Sequence, residues 1–417
     1  MPSDSQTLAA RWIFPVEGEP IADGLIEIRA GRIERVGPRR GRRADVDLGN
    51  AAILPGFVNA HTHLELGPIG GEIPAEPEDE IAWLRRVIEQ RRGGTDDGRR
   101  ALAARHLDAS LRAGTTTIAD TTTAGLSWTA LAEAPVRATV FAEVIGLNRL
   151  RGLQTSQEAW DWIAGVAPEA QVAANARVGL SPHAPYSTAG WLYYKAAACR
   201  LPLSTHLAEL PEELELLQTR GGRLRTFLEE LGAWEDSWEP IGPRPADYVR
   251  KGELRRADWL LAHGTYLEPS EFWQLRPGAA PDDQRVAVAF CPRTHARFGH
   301  APHPYREMLG RGAVVCLGTD SLASTPTLSI LDEIRFLARS DESLGGPLLL
   351  TMATLFGAWA LRAETVTGSL RVGKSADLAV VALPDRDEPD PHRLILDSDR
   401  PVIATYFEGR DVRESIG

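Results

Sequence analysis

The first 56 residues alternate apolar and polar positions in short runs. The stretch GLIEIRAGRIERVGP (24–38) shows the pattern most clearly, with Ala30-Gly31 between two runs. Alternation with a period of two residues predicts half-buried β-strands, and a short glycine-containing break between two runs predicts a hairpin. The amino-terminal region is therefore predicted to be rich in β-strands.

The carboxyl-terminal region has the same alternating pattern. Residues 375–383 and 402–414 are strand-like, and the second segment carries a turn signal at Gly409-Arg410. Because both ends are β-rich and the middle is not, we predict that residues 1–56 and 364–417 form one small composite β-sandwich module built from the two termini.

The middle of the chain, residues 57–363, alternates apolar, β-branched runs with helical patterns such as those of 97–114 and 211–231. Candidate strands, the first of which begins just before this region, lie at 52–60, 115–122, 136–144, 176–181, 201–206, 257–264, 285–292 and 312–320. Eight strands with intervening helices over about 300 residues predict a (β/α)8 TIM barrel. A doubly wound open sheet is the alternative, but no G-x-G-x-x-G motif follows a strand, so a dinucleotide-binding fold has no support.

Composition narrows the class of protein. The 417 residues carry a net charge of -11, which argues against a nucleic-acid polymer as partner. The three cysteines lack C-x-x-C spacing and suit buried free thiols in a reducing compartment. No signal peptide and no apolar stretch of membrane-spanning length is evident. We predict a soluble, cytoplasmic protein that acts on a small molecule, with homo-oligomerisation left open.

Five of the predicted strands deliver metal-capable side chains at their carboxyl ends, which meet on one face of a barrel. A single histidine at a strand end is more often structural, but the joint pattern favours one site. These side chains are His61 and His63 after the first strand, His183 after the fourth, His206 after the fifth, His263 after the sixth and Asp320 after the eighth.

Three imidazoles and one carboxylate suit Zn2+ or a similar ion with a place left for water, and such water ionises near pH ~7. Glu209 and His263 are placed to move protons and to orient groups; the alternative for Glu209 is a solvated residue at a helix start. We assign a surface location to the histidines on helical or loop segments: His106, His300, His303 and His392.

The ordered motifs PGFVNAHTHLEL, SPHAPYS, STHLAE, AHGTYL, CPRTH and LGTDSLAS resemble the metal-dependent amidohydrolase superfamily. The branch that they resemble holds cytosine deaminase, adenosine-analogue deaminases and s-triazine hydrolases. The resemblance implies His61, His63, His206 and Asp320 as metal ligands, and a catalytic set of Glu209, His263 and Asp320. It implies that Glu209 protonates a ring nitrogen of the substrate, that His263 orients water, and that Asp320 moves a proton to the leaving group. His183 resembles a histidine that contacts substrate.

Two departures from the family pattern matter. Binuclear relatives use a carboxylated lysine at the end of the fourth strand, whereas this chain has only Lys195, Lys251 and Lys374. One divalent ion per chain is therefore predicted, Zn2+ first and Fe2+ as the alternative. The seventh strand ends in Cys291-Pro292-Arg293-Thr294-His295 where many relatives have Cys-Pro-x-Ser-Asn.

We predict a hydrolase of carbon–nitrogen bonds other than peptide bonds, a deaminase of an aminated, purine-nucleoside-like heterocycle. Arg293 and His295 are predicted to bind substrate, and Arg293 favours a carboxylate on it; the alternative is that Arg293 only caps a loop. Hydrolysis of an amide or of a C–Cl bond is a second hypothesis. A metal-binding protein without catalysis is a third, which the presence of both Glu209 and His263 disfavours.

Overall fold

The structure is a computed structural model that describes residues 5–69, 72–74, 76–173, 175–273, 275–276 and 284–414. In these ranges the strands are β1 Ser5–Ile13, β2 Ile21–Arg29, β3 Arg32–Pro38, β4 Val46–Asp47, β5 Ala51–Pro55, β6 Phe57–Thr62, β7 Thr115–Thr122, β8 Arg137–Val144, β9 Ala176–Pro182, β10 Leu203–Leu207, β11 Trp259–His263, β12 Val286–Phe290, β13 Val314–Leu317, β14 Leu378–Ala382, β15 Val402–Phe407 and β16 Arg410–Asp411.

Helices follow most of the barrel strands. They are α1 Glu80–Gly93, α2 Asp96–Arg112, α3 Trp128–Glu133, α4 Arg149–Gly165, α5 Pro168–Ala173, α6 Gly190–Ala197, α7 Pro211–Thr219, α8 Arg223–Glu230, α9 Asp247–Arg250, α10 Pro269–Phe272, α11 Pro292–Phe298, α12 Tyr305–Gly310, α13 Ile330–Ser340, α14 Gly346–Ala353, α15 Leu355–Ala360 and α16 Arg393–Leu396. Short 3-10 turns lie at Thr123–Gly125, Gly252–Arg256 and Val412–Glu414.

The two termini share one sheet. Its strand order is β16-β15-β14-β5-β1-β2-β3, and β4 pairs with β1. The central strand β5 runs parallel to β1 and antiparallel to β14, so it joins the amino-terminal strands to the carboxyl-terminal ones. Apolar side chains from both ends, among them Leu8, Ile26 and Val380, form a core of their own.

Two tight turns complete this sheet. The predicted hairpin of β2 and β3 turns at Ala30 and Gly31, with φ of 48° and 74°. The turn between β15 and β16 falls at Glu408 and Gly409, with φ of 49° and 76°, one residue earlier than predicted. Glycine tolerates the left-handed conformation, so the position of the glycine fixes where each chain reversal falls.

The second sheet is the barrel. Its strands follow chain order from β6 to β13, and every described pair is parallel. The last strand returns to the first at the carboxyl end, where the carbonyl oxygen of His61 accepts hydrogen bonds from the amides of Thr319 and Asp320, both at 3.0 Å. The prediction of a (β/α)8 barrel with a sheet built from both termini is confirmed.

One predicted barrel strand is divided between the two sheets. Residues 52–60 are predicted to form a single barrel strand, but the chain leaves the terminal sheet at Pro55 and enters the barrel at Phe57. Gly56 allows this passage because a Cβ there would lie 2.0 Å from Oγ1 of Thr116. The division into a module of residues 1–56 plus 364–417 and a barrel of residues 57–363 stays a prediction.

The barrel seam gives a stability prediction. A Cβ at Gly318 would lie 2.8 Å from Cβ of His61 and 2.9 Å from its carbonyl oxygen. We expect Gly318→Ala to lower the free energy of unfolding by about 1–3 kcal/mol, because the overpacked seam must open. Thermal unfolding monitored by circular dichroism checks this, with Gly310→Ala as the control, since a Cβ at Gly310 meets nothing within 4 Å. Equal melting midpoints for both variants would contradict the prediction.

Candidate active site

The predicted metal ligands converge at the carboxyl end of the barrel. His61 lies in β6 one residue before its end, His63 follows β6, His206 lies in β10 and Asp320 follows β13. Nε2 of His63 lies 3.2 Å from Nε2 of His206, and Oδ1 of Asp320 lies 3.8 Å from Nε2 of both His61 and His63. All four side chains are buried, so the polar atoms face one another and not bulk water.

The donor set fits a divalent ion. Two nitrogens bound at about 2.1 Å to a tetrahedral ion lie about 3.4 Å apart, close to the separation of His63 and His206. Nε2 of His61 is buried without a hydrogen bond partner in the described part of the chain, which a bound cation would supply. Burial lowers the pKa of His61, His63 and His206, which keeps the imidazoles neutral and able to bind metal.

Neighbouring groups fix the orientation of two of these ligands. Nδ1 of His206 lies 3.0 Å from the carbonyl oxygen of His183 and donates to it, which turns Nε2 towards the other imidazoles. The hydroxyl of Ser324 donates to Oδ2 of Asp320 at 2.6 Å and also contacts the hydroxyl of Thr294 at 2.9 Å. Oδ1 of Asp320 is thereby left to face the histidines.

A test of this support is Ser324→Ala. Loss of a residue that orients a metal ligand typically costs 10–100-fold in metal affinity or activity, so we expect a decrease of about that size. Competition with a chromogenic chelator measures the metal affinity. Ser340→Ala is the control, because its hydroxyl bonds only to the carbonyl oxygen of Phe336 at the end of α13. Unchanged affinity and activity in the Ser324 variant would show that Asp320 needs no such partner.

Glu209 lies beside the predicted metal ligands, between β10 and α7. The carboxylate of Glu213 accepts hydrogen bonds from the amides of Ala208 and Glu209, at 3.0 and 3.3 Å, and Ala208 has a φ of 51°. This turn directs the Glu209 side chain inward, where Oε1 lies 3.2 Å from Nε2 of His263. Glu209 is 6% exposed, so it is not a solvated residue at a helix start.

His263 and Asp320 share an unusual backbone conformation. Each follows or ends a barrel strand in the left-handed region, with φ of 68° and 57°. Such residues cost free energy and concentrate at functional sites, where the surrounding structure holds them. The ring of His263 lies 5.4 Å from that of His206, and its ring nitrogen is within 4.8 Å of the metal-capable atoms of His61 and His206.

Electrostatics suit a proton carrier at Glu209. Burial raises the pKa of Glu209 well above its ordinary value, and the carboxylates of Glu80 and Asp320 raise it further. Glu80, at the start of α1, was not identified from the sequence; it lies 3.2 Å from Nε2 of His300. A protonated, buried carboxyl beside a metal site can donate its proton to substrate.

His183 is placed near the site by β9. Its ring centroid lies 4.8 Å from that of His206, and its Nδ1 is 2.6 Å from the hydroxyl of Ser187. Nε2 of His183 faces Glu143, whose Oε1 is 3.8 Å away. Burial alone would raise the pKa of Glu143, but the guanidinium of Arg91 and the nearby His183 hold it at about 2.

The contacts of Arg293 favour the alternative that its role is structural. The side chain is 5% exposed and pairs with Glu333 at 2.8 Å, and its remaining donors bond to Thr327 at 2.7 and 2.9 Å. Arg293 therefore links α11 to α13, as expected for a structural role. Because its guanidinium is occupied by these contacts, it gives no reason to expect a carboxylate on the substrate. His295, two residues further along the chain, borders the cavity that Glu209 and His263 also line.

A small cavity lies beside the predicted metal ligands, bordered by Glu80, Glu209, His263, His295 and His300. A larger cavity opens at the amino end of the barrel beside Val314 and Trp359. We place the chemistry in the smaller cavity, because the residues that line the larger one include none of the metal-capable histidines.

The surface location predicted for four histidines was wrong. His106 and His303 are buried and bond to backbone oxygens, of Leu64 and His263 respectively, and His303 stacks on Phe290 with ring centroids 3.9 Å apart. His300 borders the cavity, and His392 is buried beside Phe14. A loop histidine can be drawn inward by contacts with distant strands, which the local pattern does not reveal.

No helix in the described ranges is both long enough and apolar enough to span a membrane.

Comparison with known proteins places the fold and the motifs in one family. Residues 52–412 match the sequence model of the Amidohydrolase family. The 5-methylthioadenosine/S-adenosylhomocysteine deaminase of Moorella thermoacetica is 30% identical over 408 residues, which cover 91% of this chain and 85% of that protein. The match confirms the resemblance predicted from the ordered motifs.

Solved structures agree on the fold. Helicobacter pylori aminofutalosine deaminase in complex with methylthio-coformycin has a TM-score of 0.80 at 20% identity, covering 97% of this chain and 99% of that one. An adenosine deaminase from Xanthomonas campestris with bound zinc has a TM-score of 0.75 at 21% identity, covering 97% and 92%. At this identity the similarity extends to the fold alone.

Proposed function

Because this chain belongs to the amidohydrolase family, we propose that it is a metal-dependent hydrolytic deaminase of an aminated, purine-nucleoside-like compound. The observation that carries the proposal is a buried Glu209 that lies 3.2 Å from His263, directly beside a convergent set of histidines and Asp320. Relatives named as deaminases of 5-methylthioadenosine and S-adenosylhomocysteine support the substrate class.

We propose one divalent ion per chain, Zn2+ with Fe2+ as the alternative, held by His61, His63, His206 and Asp320. A binuclear site of the carboxylated-lysine type is disfavoured by the lysine positions. Lys195 lies on α6 near Trp160, Lys251 bonds to the carbonyl oxygen of Ile241, and Lys374 bonds to Thr367 and Ser369. A bound zinc ion supplies a water that ionises near pH ~7.

The protein groups then divide the proton transfers. In its protonated form Glu209 donates to the ring nitrogen next to the reacting carbon, which makes that carbon more electrophilic. His263, held 3.2 Å from Glu209, orients the attacking water. Asp320 passes a proton to the departing amine, so that ammonia leaves. The side chains of Glu209, His263 and Asp320 are all buried, which excludes bulk water and strengthens their electrostatic interactions with the substrate.

Hydrolysis of an amide or of a C–Cl bond by the same groups remains the second candidate, because a triazine hydrolase shares the fold. A binding protein without catalysis would not need Glu209 and His263 in contact. We further propose a cytoplasmic location and a small-molecule substrate without a nucleic-acid polymer or membrane as partner.

The proposal is tested by release of ammonia from the purified, zinc-loaded protein. The panel consists of adenosine, 5′-methylthioadenosine, S-adenosylhomocysteine, adenine and cytosine, with an s-triazine chloride and a simple amide as comparison compounds. We expect ammonia from at least one adenosine derivative. Release of chloride or of a carboxylic acid without ammonia from any purine would contradict the proposal.

A further inference from the structure

A buried carboxylate beside the site has an oxygen without a partner. Glu143 is the penultimate residue of β8 and lies near His183, and its Oε2 accepts a hydrogen bond from Nη1 of Arg91 at 2.7 Å. Its Oε1 has no hydrogen bond partner in the ranges that the structure describes, although the side chain is only 4% exposed. Buried polar atoms are nearly always paired, so this oxygen is free to accept a hydrogen bond from a bound group.

The position of His183 shows where such a group would lie. Nε2 of His183 is 3.8 Å from Oε1 of Glu143, too far for a hydrogen bond, yet one small polar group could contact both atoms. Nδ1 of His183 is engaged by the hydroxyl of Ser187, which fixes the ring. The side chain of His183 is 16% exposed, against 4% for Glu143, so the pair is reached from the His183 side.

The charged side chains around Glu143 determine which kind of chemical group can bind there. Arg91 also lies 3.6 Å from Oε1 of Glu65, whose carboxylate accepts hydrogen bonds from the hydroxyls of Thr122 and Thr123. Two carboxylates therefore share one guanidinium, and the cluster keeps an excess negative charge. Such a cluster attracts a hydrogen bond donor and repels an anion.

We propose that Glu143 and His183 form a specificity subsite that takes a hydrogen bond donor, a hydroxyl or an ammonium, on the sugar-like substituent of the substrate. This inference rests on the proposed deaminase function and adds the substrate feature that the site selects. A carboxylate at this position is disfavoured, because it would lie directly against the unpaired Oε1 of Glu143. His183 touches the metal ligand His206, so the subsite adjoins the reacting centre.

Two pairs of substrates test the subsite. Adenosine and 2′,3′-dideoxyadenosine differ in hydroxyl donors, while 5′-amino-5′-deoxyadenosine and 5′-deoxyadenosine differ in an ammonium. For the wild-type enzyme we expect kcat/KM to favour the donor-bearing member of one pair by about 10-fold or more, because a buried acceptor left unpaired rejects the analogue. In Glu143→Ala that preference is expected to fall to about 2-fold or less, mainly through KM. The pair that responds identifies the donor as hydroxyl or ammonium.

If the alanine variant does not fold, Glu143→Gln takes its place, because it keeps the shape of the side chain. Glu143→Gln should reduce the same substrate preference. Glu364→Gln is the matched control, since its carboxylate pairs with Arg285 at 2.8 Å at the other end of the barrel and should leave both ratios unchanged. If the wild-type enzyme releases ammonia and neither ratio changes in the Glu143 variants, the subsite is wrong while the deaminase stands. If no adenosine derivative yields ammonia, the proposed function fails and the subsite with it.

Discussion

Glu209→Gln is expected to lower the kcat for release of ammonia by about 10²–10⁴-fold while the metal stays bound. General acid–base catalysis typically contributes this much, and an amide cannot donate and accept a proton in turn. The substitution keeps the volume of a side chain that is 6% exposed, so the fold should persist. Steady-state kinetics and metal analysis by mass spectrometry measure the two effects separately.

Glu212→Gln, three residues on in the first turn of α7, provides the matched control. Its carboxylate pairs with Arg223 at 2.9 Å, and its loss should leave kcat within about 2-fold, as for most exposed ion pairs. Loss of metal from the Glu209 variant would mean that Glu209 is itself a ligand. A near-normal rate with metal retained would remove Glu209 from the chemistry altogether.

The double variant His61→Ala/His63→Ala is expected to lose both the bound ion and all measurable turnover. It removes two of the four proposed ligands. The two that remain, His206 on β10 and Asp320 after β13, are too few to hold the ion. The wild-type protein should contain one equivalent of ion per chain after dialysis. Activity of the chelator-treated wild-type enzyme should fall to background and return on addition of Zn2+.

His392→Ala is the control for loss of a buried imidazole away from the site, because His392 packs on Phe14 and bonds to Asp390. It should keep one ion and full turnover. Full metal occupancy in the double variant would contradict the ligand assignment, and two equivalents per active wild-type chain would contradict a mononuclear centre.

The strands and the convergence of the proposed metal ligands could be predicted because both depend on local sequence patterns. Each barrel strand is a short apolar run, and His61, His206 and Asp320 follow from the positions at which such runs end. The barrel topology then brings these ends together without further information. The division of the predicted strand 52–60 at Gly56 was missed because a continuous apolar run does not reveal that the chain passes from one sheet to the other there, close to Thr116.

The remaining groups near the site lie on elements whose placement depends on tertiary packing. Glu80 and Arg91 belong to α1, and nothing in the helical pattern predicts that they reach the metal face. Arg293 illustrates the converse, because a motif position suggested a ligand contact while Glu333, forty residues later, takes the guanidinium. Long-range ion pairs of this kind have no signature in a single sequence.

The contact between the first and last barrel strands also determines when, during synthesis and folding, the proposed metal site can be completed. Thr62 and Asp320 meet there although they are 258 positions apart, and the carbonyl oxygen of His61 holds the amide of Asp320. A ribosome therefore releases the three histidines proposed as ligands long before Asp320, the carboxylate proposed to complete their set. Contacts this distant along the chain form late in folding. An emerging chain would carry an incomplete site with unpaired imidazoles, and high-affinity capture of the ion would begin only when the last barrel strand docks.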